Sequence, residues 1–220
     1  MRPTVSTVLS IAALVLFARA PLGAQQPTPP PPPSPPPPRP VVATPSSFAS
    51  VEVHLNARRG RTDHAWWFSE AGLAGPSRIA ITYGQPYARG RKVENGLIPL
   101  DTVWRFGANM ATALHTDVDL TLGTLKVPHG DYTLFLLNGR NGWWLIVNAE
   151  TGQWGLDYTP ARDVGRVPLT VRSLAEPEDG LSIYLVPDAA QPTTEKADLR
   201  GALRIKWGRT ELTAPWGVDE

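Results

Sequence analysis

The sequence predicts an all-β protein, namely an antiparallel β-sandwich or jelly-roll-like domain of about nine to eleven short strands. A disordered proline-rich segment is predicted to precede this domain. From Ser50 onward, short runs alternate apolar and polar residues and are separated by Gly, Pro, Asn and Asp. The same region contains no long run with helical periodicity. Many short strands with regular turn signals are typical of a sandwich or a barrel.

The first 24 residues have the pattern of a cleavable signal peptide. Arg2 supplies a positive charge, residues 5–17 form an uncharged apolar stretch, and the small residues Ala20 and Ala24 offer two cleavage sites. We expect cleavage after Ala24 because a polar run begins at Gln25. The apolar stretch is shorter than the roughly 20 residues needed to cross a bilayer. The sequence therefore predicts an exported protein, periplasmic or extracellular, with no transmembrane anchor after signal cleavage.

Residues 25–49 are predicted to form a disordered, proline-rich spacer. Eleven of the 24 prolines lie between Pro27 and Pro40. Because proline fixes φ and lacks a backbone N–H, such a run excludes helix and sheet and favours polyproline II. Two interpretations remain open for this segment. It is either a spacer or tail without a partner, or a docking site for a proline-binding module.

Residues 50–220 are predicted to form the β domain. Four of its expected strands alternate cleanly, as half-buried antiparallel strands do. Their apolar faces are formed by Ile79, Ile81 and Tyr83; by Val118, Leu120 and Leu122; by Val167, Leu169 and Val171; and by Leu203, Ile205 and Trp207.

Two further runs, residues 132–137 and 143–147, are apolar on both faces and are predicted to be central strands. The segment between them contains two Asn-Gly dipeptides, which are a strong hairpin signal. Tight connections are also expected at residues 122–125 and 207–210, centred on Gly123 and Gly208. A short turn is expected within residues 189–199.

The composition excludes several classes of function. The chain has no cysteine, so disulfides, thiolate metal sites and cysteine nucleophiles are absent. Its 21 Lys and Arg residues balance 20 Asp and Glu residues, which leaves no electrostatic signature of nucleic-acid binding. The eight tryptophans all follow Ser50, where they fill a core or line a ligand groove.

No established catalytic, cofactor-binding or metal-binding motif is present, so the sequence predicts no cofactor and no metal. His115 is the histidine with the most suggestive surroundings. In a strand, His115, Asp117 and Asp119 share one face, which suits acid–base chemistry or a metal. The alternative is an ordinary solvated polar face opposite an apolar one, and the alternation favours this alternative.

A basic turn, Arg89-Gly90-Arg91, follows the first clear strand. Two guanidinium groups around a glycine are suited to bind a carboxylate or phosphate. The alternatives are a hydrated loop or ion pairs with Asp101 or Glu94.

The segment from Trp104 to Asn109 is the most distinctive in the chain. Trp104 and Arg105 point to opposite faces of a strand, and Gly107 and Asn109 fit a turn or bulge with positive φ. This segment is either a structural turn or the floor of a pocket, with Arg105 and Asn109 as its polar groups. The aromatic residues Tyr83, Trp154 and Tyr158 have the same two interpretations.

A set of motifs between residues 79 and 158 resembles the DUF2911 family of exported bacterial proteins of uncharacterised activity. The resemblance implies the fold region and export, and it implies no reaction. The sequence departs from the family pattern at Gln85, where the family has Arg, at Phe106, where it has Thr, and at Met110, where Glu is frequent. The matching segments, in order, are ITYGQP at 81–86, RGR at 89–91, LIP at 97–99, VWRFGAN at 103–109, AT at 111–112, VPHGDY at 127–132 and QWG at 153–155, with Trp144, Asn148 and Tyr158.

Three functions are compatible with the sequence. The favoured one is a non-catalytic module that binds a small anionic ligand, a sugar or a cell-envelope component. A hydrolase would need a convergent set such as His115, Asp117, Arg91, Arg105 and Asn109. A structural or assembly protein would use the spacer and an exposed strand edge. The predicted ligand-binding residues are Tyr83, Arg89, Arg91, Trp104, Arg105, Asn109, His115, Trp154 and Tyr158.

Overall fold

The computed structural model describes residues 43–55, 77–188 and 199–218. The predicted signal peptide, most of the predicted spacer and the turn expected within residues 189–199 lie outside the described residues, apart from Leu199. The described chain is all-β and antiparallel, as the alternation predicted. Its ten strands are β1 (Ser47–Leu55), β2 (Ser77–Gln85), β3 (Val103–Trp104), β4 (Thr112–Thr116), β5 (Leu120–Leu122), β6 (Leu125–Val127), β7 (Gly130–Gly139), β8 (Gly142–Asn148), β9 (Asp163–Pro187) and β10 (Arg200–Val218).

The strands form one continuous antiparallel ladder in the order β1-β2-β4-β7-β8-β9-β10-β5-β6, and β3 pairs with β7. The apolar runs predicted to be central are β7 and β8, which are the fourth and fifth of the nine strands in this order. They are joined by a two-residue turn, because Gly139 pairs directly with Gly142. The predicted connection at Gly123 is also present, between Leu122 and Leu125.

Strand β9 carries the ladder from one half of the sheet to the other. Its first part, from Asp163 to Leu169, pairs with β8, and its second part, from Thr170 to Pro187, pairs with β10. With 25 residues in β9 and 19 in β10, the prediction that all strands are short is wrong. Val171 lies just past the change of partner and is 51 % exposed, although the alternation placed it on an apolar face.

The tight connection predicted at residues 207–210 is wrong, because β10 continues through it. Gly208 has φ of 59° and lies at a register shift between β9 and β10. A glycine with positive φ is typical of a β-bulge as well as of a turn, and the sequence does not separate the two cases.

The two halves of the sheet face each other and enclose one hydrophobic core, as in a sandwich. Leu136 of β7 and Trp143 of β8 share the wall of a small core cavity with Leu181 of β9 and Ile205 of β10. Its volume of about 10 Å³ is too small for a ligand larger than water. Within the described residues, no helix has the length and apolar character needed to cross a membrane.

Candidate functional site

All three predicted arginines line one cavity of about 280 Å³, which we call the arginine pocket. They are Arg89 and Arg91, from the turn after β2, and Arg105, which follows β3 directly. The predicted residues Trp104 and Asn109 also line this cavity. The described lining residues are Pro45, Ser46, Pro86, Tyr87, Arg89, Arg91, Leu97, Trp104, Arg105, Gly107, Ala108, Asn109 and Trp207.

Backbone carbonyls hold each guanidinium in place. Arg89 donates through Nη2 to the carbonyl of Pro45 at 2.7 Å. Arg91 donates to the carbonyls of Ala88 at 2.9 Å and Tyr87 at 2.7 Å, through Nε and Nη2 respectively. Arg105 donates through Nε to the carbonyl of Gly107 at 3.0 Å. These bonds orient the three side chains without neutralising their charge.

No described carboxylate forms an ion pair with the guanidiniums of the arginine pocket. Five other arginines form ion pairs with carboxylates, whereas Arg89, Arg91 and Arg105 form none with the described carboxylates. The pairings that the sequence offered for Arg89 and Arg91 are not formed, since Asp101 pairs with Arg140 and Glu94 accepts from Thr210. The five paired arginines are Arg78, Arg140, Arg166, Arg172 and Arg204.

The loop that presents Arg105 and Asn109 is held in an uncommon backbone conformation. Phe106 is fully buried with φ of 54°, and Asn109 has φ of 65°. A bulky residue with positive φ is strained and persists only where the surroundings fix it. Thr112 supplies part of that constraint by donating to the Phe106 carbonyl at 2.6 Å. Arg89, which lines the same cavity, also has positive φ, 49°. Strained residues of this kind cluster at functional sites.

Two glycines of the matched motifs allow the loop to approach its neighbours. A Cβ on Gly84 would overlap the carbonyl of Ala108, whose N–H donates to the Gly84 carbonyl at 2.8 Å. A Cβ on Gly155 would overlap the side chain of Arg105 and the carbonyl of Asn109. The close packing at these two glycines therefore fixes the position of Arg105 and of the loop.

The aromatic wall of the pocket comes from both halves of the sheet. Trp104 stacks on Trp207 of β10 with ring centroids 5.4 Å apart and planes inclined by 16°. The indole N–H of Trp207 donates to the carbonyl of Asp179 at 2.9 Å. Sequence reasoning missed Trp207 and Tyr87 as lining residues. A signal existed for Tyr87, because it stands between the YGQP motif and the basic turn.

Four predicted site residues lie outside the described lining of the arginine pocket. Tyr83 is buried, and burial raises the pKa of its hydroxyl, which accepts from the backbone N–H of Ile183 at 3.2 Å. Tyr158 donates to Asp163 at 2.7 Å and packs edge-on against Phe135. Both hydroxyls therefore serve contacts within the fold.

Trp154 lies close to the loop of the pocket without lining it. It forms an isolated β-bridge with Met110 and is 48 % exposed. The next residue, Gly155, donates through its N–H to the carbonyl of Asn109 at 3.1 Å. Trp154 thus belongs to the segment that supports the loop.

His115 occupies a second depression, also of about 280 Å³, on the polar face of β2, β4 and β7. Its Nδ1 lies 2.8 Å from Asp131 and its Nε2 lies 3.1 Å from Asp117. The pKa of His115 is raised, mainly by the hydrogen bond to Asp131. The bond to Asp117 adds to this effect, and burial opposes it. The expectation that Asp119 joins His115 is wrong, because Asp119 binds His129 at 2.9 Å.

The arginine pocket and the depression at His115 have equal volumes, and they differ in whether their charged side chains are paired. In the second one, Arg78 is paired with Glu52, and both ring nitrogens of His115 are engaged by carboxylates. The described residues also contain no group of three or more His, Asp or Glu side chains suited to hold a metal ion. The arginine pocket is therefore the candidate functional site.

The three positions at which we expected a departure from the family pattern lie outside the described lining of this pocket. Gln85 donates to the carbonyl of Leu181, Phe106 is buried in the core, and Met110 pairs with Trp154. In contrast, the matching RGR and VWRFGAN segments supply much of the described lining.

Comparison with curated proteins and with solved structures finds no match for this chain. A comparison with protein-family models does find one. The family described as a protein of unknown function, DUF2911, matches residues 70–215, which is more than half of the sequence, and the chain belongs to this family.

Proposed function

We propose that this protein is a non-catalytic binding module for a small anionic ligand, and that the arginine pocket is its binding site. One observation carries this proposal. Arg89, Arg91 and Arg105 line one cavity, are anchored by backbone carbonyls, and form no ion pair with the described carboxylates. Preoriented guanidiniums bind carboxylate and phosphate groups with charge-assisted hydrogen bonds.

The other lining residues fit this role. Trp104 and Leu97 offer an apolar wall, and the amide of Asn109 adds a donor and an acceptor. An uncharged sugar would use the wall and the amide but would leave three positive charges uncompensated. The charge therefore favours an anionic ligand over a neutral sugar, and an anionic group of a cell-envelope component belongs to the same chemical class.

A hydrolase is supported less well than a binding module. General acid–base catalysis requires a group such as His, Asp or Glu within reach of the substrate. The described lining of the arginine pocket contains none of these side chains. His115, the residue considered for that role, lies in the other depression with both ring nitrogens engaged.

The proposal predicts that anionic ligands stabilise the folded chain. In a thermal-shift screen at constant ionic strength, carboxylates and phosphate esters should raise the melting temperature, and neutral sugars should not. A free ligand concentration of 100 times Kd stabilises the folded state by about 2.7 kcal/mol. Arg105→Gln should abolish the shift, whereas Arg140→Gln, at an 81 % exposed side chain outside the described lining, should preserve it. An unchanged shift in Arg105→Gln would rule out the arginine pocket as the site.

We also propose that the protein acts outside the cytoplasm. The charged start, the apolar stretch at residues 5–17 and the small residues before Gln25 support this proposal. When the full gene is expressed in a bacterium, the mature protein should leave the cytoplasm and begin at Gln25. Cell fractionation followed by N-terminal sequencing measures both properties. A full-length product retained in the cytoplasm would overturn the proposal.

A further inference from the structure

We propose that the ligand of the arginine pocket carries a phosphate monoester group in its doubly charged form. This inference rests on the proposed function and narrows the class of ligand. It follows from the charge balance of the cavity and from the number of hydrogen-bond donors that face it.

The charge balance favours two negative charges on the ligand. The lining holds the three guanidiniums of Arg89, Arg91 and Arg105. One carboxylate is bound to a lining residue, since Asp179 accepts from the backbone N–H of Arg89 at 2.7 Å. Asp179 lies outside the described lining, and the three guanidiniums have no ion pair with a described carboxylate, so a dianion neutralises more of their charge than a monoanion does.

The donors favour three acceptor oxygens over two. After the backbone bonds are made, each guanidinium keeps its Nη1 group and further N–H groups for a ligand. A phosphate monoester offers three strong acceptor oxygens, one for each arginine, whereas a carboxylate offers two. The volume of about 280 Å³ lies just below the usual range for drug-sized ligands, so the rest of the ligand is small.

A matched pair of probes tests the charge requirement. Phenyl phosphate and phenyl sulfate have nearly the same shape, and they differ by one charge at pH 7.5. Isothermal titration of the full chain should show at least tenfold tighter binding of phenyl phosphate, as expected for additional charge-assisted hydrogen bonds. Arg91→Gln and Arg105→Gln should each weaken phenyl phosphate binding at least tenfold, and Arg140→Gln should leave it unchanged.

The pH dependence gives a second readout. The second pKa of a phosphate ester is about 6, so the doubly charged fraction falls from about one half at pH 6.0 to about one eleventh at pH 5.0, and phenyl phosphate should bind up to about fivefold more weakly at pH 5.0. Phenyl sulfate keeps its single charge over this range and serves as the control. Histidine is the side chain that ordinarily titrates here, and the described lining contains none, so the change reports on the ligand.

The outcomes separate this inference from the proposed function. Equal binding of both esters, abolished by Arg105→Gln, would overturn the requirement for a dianion while the anion-binding pocket stands. Failure of both esters and of all carboxylates to bind would overturn both proposals. Inorganic phosphate in a third titration identifies the source of the group. Binding equal to that of phenyl phosphate would assign recognition to free phosphate and would overturn the assignment to an ester, whereas weaker binding supports the inference.

Discussion

His115 shows how a single side chain acquires partners that its own strand does not supply. Asp117 shares its face along the chain, as strand periodicity requires. Asp131 comes from β7, directly opposite His115 in the β4–β7 register. Both carboxylates favour the protonated ring, so the pKa of His115 lies above its ordinary value of 6.5. The resulting stabilisation is fully present below the ordinary pKa and is lost as the pH rises through the raised value.

We predict that Asp131→Asn lowers the pKa of His115. The variant removes the carboxylate whose charge-assisted hydrogen bond contributes most to the shift. The effect on stability should be small because the ring is 35 % exposed, and it should appear only at acidic to neutral pH. Titration of the imidazole proton by NMR measures the pKa. Asp119→Asn is the control, since Asp119 binds His129 and should leave His115 unchanged. An unaltered pKa in Asp131→Asn would contradict the assignment.

At the scale of elements, strands β9 and β10 are tied by a buried charge cluster. Glu211 of β10 is 1 % exposed, and both of its oxygens accept hydrogen bonds from arginines. Arg172 of β9 donates through Nε at 2.7 Å, and Arg204 of β10 donates through Nε at 2.6 Å. Burial alone would raise the pKa of Glu211, but the bonds from Arg204 and Arg172 outweigh it and lower the pKa below the ordinary value of 4.5.

We predict that Glu211→Gln destabilises the protein by about 2 kcal/mol at pH 7, because a charge-assisted bond is lost and an amide N–H₂ then faces a guanidinium. A carboxyl with a lowered pKa stabilises the fold above its unfolded pKa and loses this effect as the pH falls through the folded value. The difference between variant and parent should therefore shrink as the pH falls below about 4. Urea unfolding at pH 7 and pH 3 measures it.

Glu178→Gln is the control for this prediction. Glu178 pairs with Lys206 at 3.6 Å, in the same pair of strands, and its side chain is 36 % exposed. A partly exposed pair of this kind contributes under about 1 kcal/mol. Equal destabilisation by the two variants would show that the buried cluster around Glu211 has no special weight.

Three separate loops line the arginine pocket. The sequence revealed residues within single loops, but it did not reveal that the loops come together. The RGR and VWRFGAN motifs contain guanidiniums and glycines in turns, so their chemistry was visible locally. Their convergence depends on the backbone bond between Gly84 and Ala108 and on Gly155 packing against Arg105. Such contacts leave no periodic signal in the chain. From the sequence alone, Tyr83 and Tyr158 could each contact a ligand. Only the hydrogen bonds to Ile183 and Asp163 show that their hydroxyls serve the fold.

At the scale of the whole molecule, the sheet folds over on itself so that one strand serves both halves. Each half buries its apolar face against the other, and the core is a single cluster. Trp207 of β10 thereby reaches Trp104 next to β3, and the pocket gains a wall from each half. Pro45 and Ser46, which precede β1, add a third wall. A site built in this way depends on the closed fold.

The sequence alone determined the all-β class, the central strands β7 and β8, the hairpin between them, and five residues of the arginine pocket. It did so because period-2 alternation, Asn-Gly turns and adjacent charged groups are local properties of a chain. The tertiary structure alone decided that β9 and β10 are long, that Gly208 is a bulge, and that Arg89, Arg91 and Arg105 lack carboxylate partners among the described residues. These outcomes depend on which distant residues face each other, and strand pairing across many residues is set by burial of the common core.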